Sequence, residues 1–251
     1  MKIRIKFAKY GAVKYIGHLD VMRFFQKAIR RAGVDIKYSE GFSPHQIMSF
    51  AAPLGVGMES MGEYLDIEVN SMTSTKEMKD ALNSVTVDGI DILSVKILPD
   101  SCKNAMASVA AASYVIRYDA FPIEGIEMKL SDFYLQEQIS VTKKTKKSEI
   151  EVDLKPGIYE IKSDKFTNYL SDYKIARKIQ NETSDSIIYM LVNASSSGNI
   201  KPSMVFDAFC SYCNVELQPY SRQITRLDTY TSILGEDGNG KLIPLEEIGH
   251  D

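Results

Sequence analysis

Residues 2–7 read KIRIKF and residues 19–32 read LDVMRFFQKAIRRA, and the two segments carry different hydrophobic periods. Charged and apolar residues alternate in the first segment, as they do in a half-buried β-strand. In the second segment, apolar residues recur at the spacing of one helix face: Met22, Phe25, Ala28, Ile29 and Ala32. Gly33 follows as a helix stop signal. The sequence therefore predicts a strand followed by an amphipathic helix.

The next segments continue this pattern of strands and helices. Strands are predicted at residues 46–51, 63–69 and 90–98, and a helix at residues 75–84 with Thr73 or Ser74 as its N-terminal cap. The resulting order, strand, helix, strand, strand, helix, strand, is that of a ferredoxin-like domain. We therefore predict a ferredoxin-like domain over residues 1–99 and a small, polar linker over residues 100–112.

Residues 113–251 repeat this order less clearly. Strands are predicted at 114–118, 187–193 and 224–233, and helices at 126–138 and 201–212. Residues 139–142 and 149–154 form a predicted hairpin whose turn is rich in lysine. The predicted fold is α+β, with two ferredoxin-like βαββαβ domains in tandem. The second domain, 113–251, has an insertion, the basic hairpin and a C-terminal tail.

The composition is that of a folded protein, because 44% of the 251 residues are hydrophobic and 25% are charged. All apolar runs are shorter than the roughly 18 residues of a membrane-spanning helix, so we predict a cytoplasmic protein without membrane contact. Cys102, Cys210 and Cys213 form no disulfide framework, and the one CxxC pair does not complete a four-ligand metal site. No metal site is predicted.

Charge is distributed unevenly along the chain. The net charge is −3 overall, but residues 1–50 carry +7 and residues 51–100 carry −6. A local positive field of this kind attracts phosphate groups even on an acidic protein. The alternative is that the basic residues of the first strand and helix simply face solvent.

Residues 15–57 contain most of the candidate binding groups. His18 precedes the first helix, and His45 follows a turn in which Gly41 permits a close backbone approach. Each histidine is either a structural residue or a general acid–base group. The predicted phosphate-binding residues are Arg23, Arg30, Arg31, Ser39, Gly41, Lys143, Lys144, Lys146 and Lys147. The predicted stacking residues are Tyr15 and Phe42.

Four motifs in this segment carry a family resemblance: GHLD at 17–20, RRAG at 30–33, YSEGFSPH at 38–45 and PLGVG at 53–57. The chain resembles the radical SAM-linked protein family, a domain of unknown function, and the likeness continues at 143–156 and 226–230. Its members lie beside, or are fused to, a cobalamin-domain radical SAM protein. The resemblance implies such a partner. This chain lacks a CxxxCxxC set, so the iron–sulfur cluster, SAM and cobalamin are expected in the partner, with no cofactor here.

Three functions fit these residues. The first is an accessory module that binds RNA or presents a substrate to the radical SAM protein, in tRNA or rRNA modification or processing, without catalytic activity of its own. The second is a docking module that binds this partner through the acidic segment 59–91 and does not bind RNA. The third is a metal-independent endoribonuclease that uses His18 and His45, by analogy with the CRISPR repeat-processing enzymes that paired ferredoxin-like domains resemble.

Overall fold

The computed structural model describes residues 1–118, 123–144, 149–165, 167–170, 186–218, 221–234 and 240–251. These residues form helices and mainly antiparallel strands, which confirms the predicted α+β class. Backbone contacts divide the chain into two units. The first unit contains Met1–Ala110 and Asp228–Asp251, and the second contains Ala111–Leu227.

The first unit begins with six elements in the order strand, helix, strand, strand, helix, strand. They are β1 (Lys2–Lys9), α1 (His18–Arg31), β2 (Met48–Phe50), β3 (Glu59–Glu68), α2 (Thr75–Ser84) and β4 (Ile90–Leu98). The strands are antiparallel in the order β4-β1-β3-β2. A 3-10 helix spans Gly11–Tyr15, and the predicted linker contains a short helix, α3 (Ala105–Ser108).

One face of β1 forms the core of the first unit with α1. Ile3, Ile5 and Phe7 alternate along the strand and are at most 1% exposed. The rings of Phe7 and Phe25 lie 4.7 Å apart between centroids. Burying each such side chain contributes roughly 1.5–3 kcal/mol. This contact explains why the apolar residues alternate in β1 and recur at helical spacing in α1.

The second unit contains the strands and helices of the middle of the chain. They are β5 (Ala111–Tyr118), α4 (Ile126–Leu135), β6 (Ser140–Lys144), β7 (Glu149–Asp153), β8 (Ile158–Lys165), α5 (Thr167–Leu170), β9 (Ser186–Asn193), α6 (Pro202–Tyr212) and the first part of β10 (Arg222–Leu234). The sheet order is β10-β5-β9-β8, and β6 and β7 form a separate two-stranded hairpin. Phe133 packs against Phe209 with ring centroids 5.5 Å apart.

The C-terminal segment belongs to the first unit. Sequence analysis assigned residues 113–251 to the second domain, whereas Asp228–Asp251 group with Met1–Ala110. This segment contains the end of β10, then β11 (Gly240–Pro244) and a 3-10 helix at Leu245–Ile248. β10 pairs with β3, and β11 pairs with β10. The grouping depends on contacts such as Lys6 with Asp228, which are 222 positions apart and leave no local sequence pattern.

Candidate functional site

Arg4 is enclosed on the second face of β1. It alternates with Ile3 and Ile5, and its side chain is fully buried. Its Nε and one terminal amino group each donate to an oxygen of the Asp66 carboxylate at 2.8 Å. The other amino group donates to the backbone oxygen of Leu245 at 2.9 Å. Arg4 is therefore held by a bidentate pair inside the protein and does not face solvent.

Lys6 lies on the same face and is surrounded by acids of the C-terminal segment. Its Nζ is 2.7 Å from Asp228 Oδ2 and 2.6 Å from Glu246 Oε1. Tyr64 donates its hydroxyl to the other oxygen of Asp228 at 2.7 Å. Burial alone would lower the pKa of Lys6, but the two carboxylates outweigh it, so the pKa is raised. Burial would raise the pKa of Glu246, but hydrogen bonds from Lys6 and Ser94 lower it.

Two further basic residues of the N-terminal segment are held in the same unit. Lys9 is buried and donates to the backbone oxygen of Ile16 at 3.0 Å, and burial lowers the pKa of its ammonium group. Lys14 Nζ lies 3.6 Å from Glu59 Oε1. Of the ten basic residues in 1–50, Arg4, Lys6 and Lys9 are therefore buried, and the side chain of Lys14 is 19% exposed. The positive field predicted from the +7 charge is correspondingly smaller, and the three buried residues do not face solvent as the alternative assumed.

The acidic segment 59–91 is also partly interior. Glu59, Glu63 and Asp66 of β3 are at most 9% exposed. A buried carboxylate does not form a contact surface for a partner, so the docking hypothesis loses three of the eight acids in this segment. The pairing of Asp66 with Arg4 of β1 was not predicted from the sequence. The alternation of charges in both strands is the signal that points to it, because Arg4 and Asp66 are register partners.

Exposed cations lie along one side of α1. Arg23, Lys27 and Arg30 are exposed and follow one another at spacings of four and three residues, which places them on one helix face. We call these three residues the basic stripe. Arg23 lies 3.6 Å from Asp20, and both side chains are more than half exposed. Arg31, also exposed, donates to the backbone at the end of α2.

Residues 37–47, here called the 37–47 loop, form a narrow hairpin. The backbone nitrogen of Ile47 donates to the oxygen of Lys37 at 3.0 Å. That of Ser39 donates to the oxygen of His45 at 2.8 Å. Tyr38 and Gln46 form an antiparallel bridge between these two bonds. The loop is therefore a fixed structure at its base.

The tip of the 37–47 loop presents an aromatic ring to solvent. Gly41 has a φ of +104°, a conformation that favours glycine because side chains with a Cβ rarely adopt it. Phe42 follows and has a relative exposure of 112%, so its ring is fully accessible. His45 is also exposed, and its Nδ1 lies 2.8 Å from Ser39 Oγ. The predicted residues Ser39, Gly41, Phe42 and His45 thus share one small surface.

The basic stripe and the 37–47 loop meet at the backbone oxygen of Gln26. This oxygen accepts from Arg30 Nε at 3.2 Å and from Gln46 Nε2 at 3.3 Å. Two donors at these distances from one oxygen are at most about 6.5 Å apart. Arg30 is therefore a close neighbour of Gln46, which follows His45 in the loop. We call this surface, the stripe together with the loop, the candidate site.

The structure does not bring His18 and His45 together. His18 is the first residue of α1, half-buried, and its ring packs edge-on against Phe50 at 5.0 Å between centroids. The residue after His45 contacts α1 at Gln26, eight residues beyond His18. The nearest described neighbours of His45 are instead Ser39 and Ser43. Among the described residues, the two imidazoles therefore have different neighbours and no contact with each other.

Tyr15 and the PLGVG motif form a separate area of the first unit. Tyr15 is 67% exposed, and Lys14 Nζ lies 5.5 Å from its ring centroid. The nitrogen of Gly57 donates to the oxygen of Lys14 at 2.9 Å, so the motif is tied to the 3-10 helix. Val56, just before it, is 63% exposed. Exposed apolar side chains, rather than charges, characterise this area.

The predicted lysine cluster lies in the second unit and is described only in part. Lys143 is exposed on β6 and pairs in register with Ile150 of β7. Lys144 ends β6, while Lys146 and Lys147 lie outside the described residues. The hairpin itself is present where it was predicted.

The cysteines have no ligand geometry in the part of the chain that the structure describes. Cys210 is buried, and burial raises the pKa of its thiol to about 12. Burial also raises the pKa of Cys213. Among the described residues, no group of three or more His, Cys, Asp or Glu side chains is arranged to hold a metal ion. Within those same residues, none of the helices has the length and hydropathy needed to span a membrane.

Comparison with known proteins gives a family and a distant structural likeness. No curated protein matches the sequence. Among solved structures, 24 chains match, including one from the crystal structure of a Cbf5-Nop10-Gar1 complex, with 10% identity and a TM-score of 0.45. That match covers 90% of this chain and 48% of the other, so the chain spans about half the length of its structural neighbour. A family profile described as "Uncharacterized protein conserved in bacteria (DUF2344)" matches residues 2–202. Because this range is most of the chain, the protein belongs to the DUF2344 family.

Proposed function

We propose that this protein is an accessory module that binds RNA, or presents a substrate, to a radical SAM protein in tRNA or rRNA modification or processing. It works in the cytoplasm and has no catalytic activity of its own. The basic stripe binds phosphate groups, and the 37–47 loop orients the bound group. The iron–sulfur cluster, SAM and cobalamin are held by the partner.

The observation that carries this proposal is the junction at Gln26. It sets Arg30, the last cation of the exposed stripe, beside the base of a fixed loop whose tip carries a fully exposed aromatic ring. Cations that contact phosphates supply affinity, and exposed rings stack on unpaired bases. The stripe is the appropriate cation set, because Arg4, Lys6 and Lys9 are enclosed elsewhere in the unit.

The proposal includes the radical SAM partner and a ferredoxin-like fold for both units. The radical SAM partner is supported by the four sequence motifs, two of which, RRAG and YSEGFSPH, contribute residues to the candidate site. The description of both units as ferredoxin-like domains is supported by the strand orders β4-β1-β3-β2 and β10-β5-β9-β8. In each unit the first and last strands of the motif are adjacent, and a later strand lies next to the first.

The salt dependence of RNA binding tests the proposal. If the stripe makes three phosphate contacts, the slope of log affinity against log salt is roughly −2 for single-stranded RNA, and affinity falls roughly 20-fold between 50 and 200 mM salt. Participation of all ten basic residues in 1–50 would give a slope of roughly −7. We therefore expect fluorescence anisotropy with labelled cellular RNA to give a shallow but measurable slope.

Matched charge removals locate the contact. Lys27→Ala with Arg30→Ala should lower the slope by roughly 1.4 and weaken all RNA sequences alike. The control is Lys76→Ala with Lys79→Ala, which removes two cations from α2 of the same unit. Binding that is independent of salt, or equally weakened by both double variants, would contradict the proposed role of the stripe.

The exposed apolar area around Tyr15 and Val56 supports the docking hypothesis. If the protein is a docking module, Tyr15→Ser should weaken its complex with the radical SAM partner, and the purified protein should not bind RNA at 50 mM salt. Size-exclusion chromatography of the two proteins, with Lys76→Ala as the control, distinguishes this function from RNA binding. The endoribonuclease hypothesis is not favoured, because the contacts of His18 and those of His45 involve different residues.

A further inference from the structure

The residues at the tip of the 37–47 loop point to a more specific ligand than RNA in general. We propose that this loop binds an unpaired nucleotide, with Phe42 stacking on the base and His45 forming a hydrogen bond through Nε2. The inference rests on the proposed RNA-binding function and names the class of RNA: single strands, or loops with bases turned outward.

The first step is the position of Phe42. Its ring is fully exposed, so it contributes no buried area to the fold of the chain. It is carried at the tip of a hairpin that is fixed by two backbone hydrogen bonds of 3.0 and 2.8 Å. The loop is also joined to the sheet, because the backbone nitrogen of Lys37 donates to the backbone oxygen of Glu68 at 2.7 Å. A ring held in this way loses little conformational entropy when a base stacks on it.

The second step is the position of His45. Its backbone nitrogen donates to Ser39 Oγ at 3.1 Å, and its Nδ1 lies 2.8 Å from the same oxygen and 3.4 Å from the backbone oxygen of Ser43. Nδ1 is therefore engaged within the loop, and Nε2 is the ring nitrogen left for a ligand. Nε2 donates a hydrogen bond in one tautomer and accepts one in the other, so it can pair with a polar group of a base.

The third step is the arrangement of charge around the ring. Arg30 adjoins the base of the loop through Gln26, and Lys37 begins the loop. Lys37 is only loosely paired with Glu68, at 3.4 Å with its side chain half exposed. These cations lie at the base of the loop, so a single strand that stacks on Phe42 and continues along the loop brings its phosphates to them. The bases of a duplex are stacked on one another, so none is available to stack on Phe42, and a duplex binds only through phosphate contacts.

The test compares the full chain on two RNA probes by fluorescence anisotropy, a labelled twelve-residue oligouridine and a labelled, blunt-ended RNA duplex without loops or overhangs. Removing a stacking ring typically weakens binding on the order of 10- to 100-fold. We expect Phe42→Ala and Phe42→Leu to weaken oligouridine binding by this factor and Phe42→Trp to restore it. Binding of the duplex should change less than about 2-fold, because it depends on phosphate contacts.

Phe42→Leu is the informative control, since leucine keeps an apolar side chain but offers no ring. His45→Ala should weaken oligouridine as well, and melting temperatures of all variants should stay at the wild-type value because these side chains are exposed. If Phe42→Ala binds oligouridine normally while Lys27→Ala with Arg30→Ala weakens it, the loop proposal fails and the RNA-binding proposal stands. If Phe42→Ala weakens only the complex with the radical SAM partner, the loop binds protein and the inference is overturned. If the wild type binds neither RNA, both proposals fail.

Discussion

Replacing Arg4 with methionine should destabilise the first unit more than any change to an exposed cation. The substitution keeps an unbranched side chain in the core but removes three hydrogen bonds, two to Asp66 and one to the oxygen of Leu245. The Asp66 carboxylate is left with most of its surface buried and without its bidentate partner. Breaking a buried ion pair in this way costs about 3–5 kcal/mol. In a chain of this length the melting temperature should fall by roughly 6–20 °C.

Urea unfolding followed by circular dichroism measures this loss. Lys37→Met is the matched control, because its pair with Glu68 is exposed and should contribute less than about 1 kcal/mol. The double variant Arg4→Met with Asp66→Leu should recover much of the loss, since it leaves no buried charge without a partner. If the unfolding free energy of Arg4→Met lies within about 1 kcal/mol of the wild-type value, as that of the control should, the pair is not enclosed and the reasoning about β1 is wrong.

Three further perturbations test the described contacts. Glu246→Gln should reduce the amount of unfolding free energy that the protein loses in acid. The folded-state pKa of Glu246 lies below its ordinary 4.5, so the contribution of its carboxylate to stability is present above pH 4.5 and is lost as the pH falls through the folded pKa. Urea unfolding at pH 6 and pH 3.5 should therefore show a smaller difference for the variant than for the wild type, and equal differences would contradict this. Cys210 should resist alkylation by iodoacetamide at pH 8 in the native protein and react in urea, because burial raises the pKa of its thiol to about 12. Mass spectrometry of the alkylated protein measures this difference, and rapid labelling of the native protein would show that the thiol is accessible. Ser74→Ala should cost about 1 kcal/mol of unfolding free energy, because Ser74 Oγ caps α2 by accepting from Glu77 at 3.1 Å, and an unchanged urea midpoint would refute that role.

Elements with strong local signals were predicted closely. Helix α2 spans Thr75–Ser84 and β4 spans Ile90–Leu98, the ranges predicted from the sequence. In α2 the cap residue and the apolar spacing lie within a few positions of each other, so neighbouring residues are enough to define the helix. The start of β3 was placed four residues late, at residue 63 instead of Glu59. Residues 59–62 read ESMG, a composition that disfavours strands, and pairing with β1 outweighs this preference.

Most residues of the candidate site were named from the sequence, but its geometry was not. The turn formers and Gly41 indicated a loop. Lys27, which lies between Arg23 and Arg30 on one face of α1, was not among the predicted phosphate-binding residues. The junction of the stripe and the loop at Gln26 depends on two hydrogen bonds that no pattern encodes. The different neighbours of His18 and His45 have the same origin, since they follow from where the loop packs along α1.

The two charge sums of the first hundred residues have one structural cause. A strand with alternating charges has two stable arrangements: its charged face meets water, or it meets a complementary charged face within the protein. Here β1 pairs with β3 so that Lys2 is opposite Glu68 and Arg4 is opposite Asp66. The positive sum of residues 1–50 and the negative sum of residues 51–100 are therefore partly the two sides of one sheet contact. Arg4 and Asp66 neutralise each other there, and the C-terminal Asp228 and Glu246 neutralise Lys6. The field available to a ligand therefore comes mainly from α1 and the start of the 37–47 loop. A long-range sum of charge along the sequence overstates such a field wherever the segments of opposite sign are neighbouring strands.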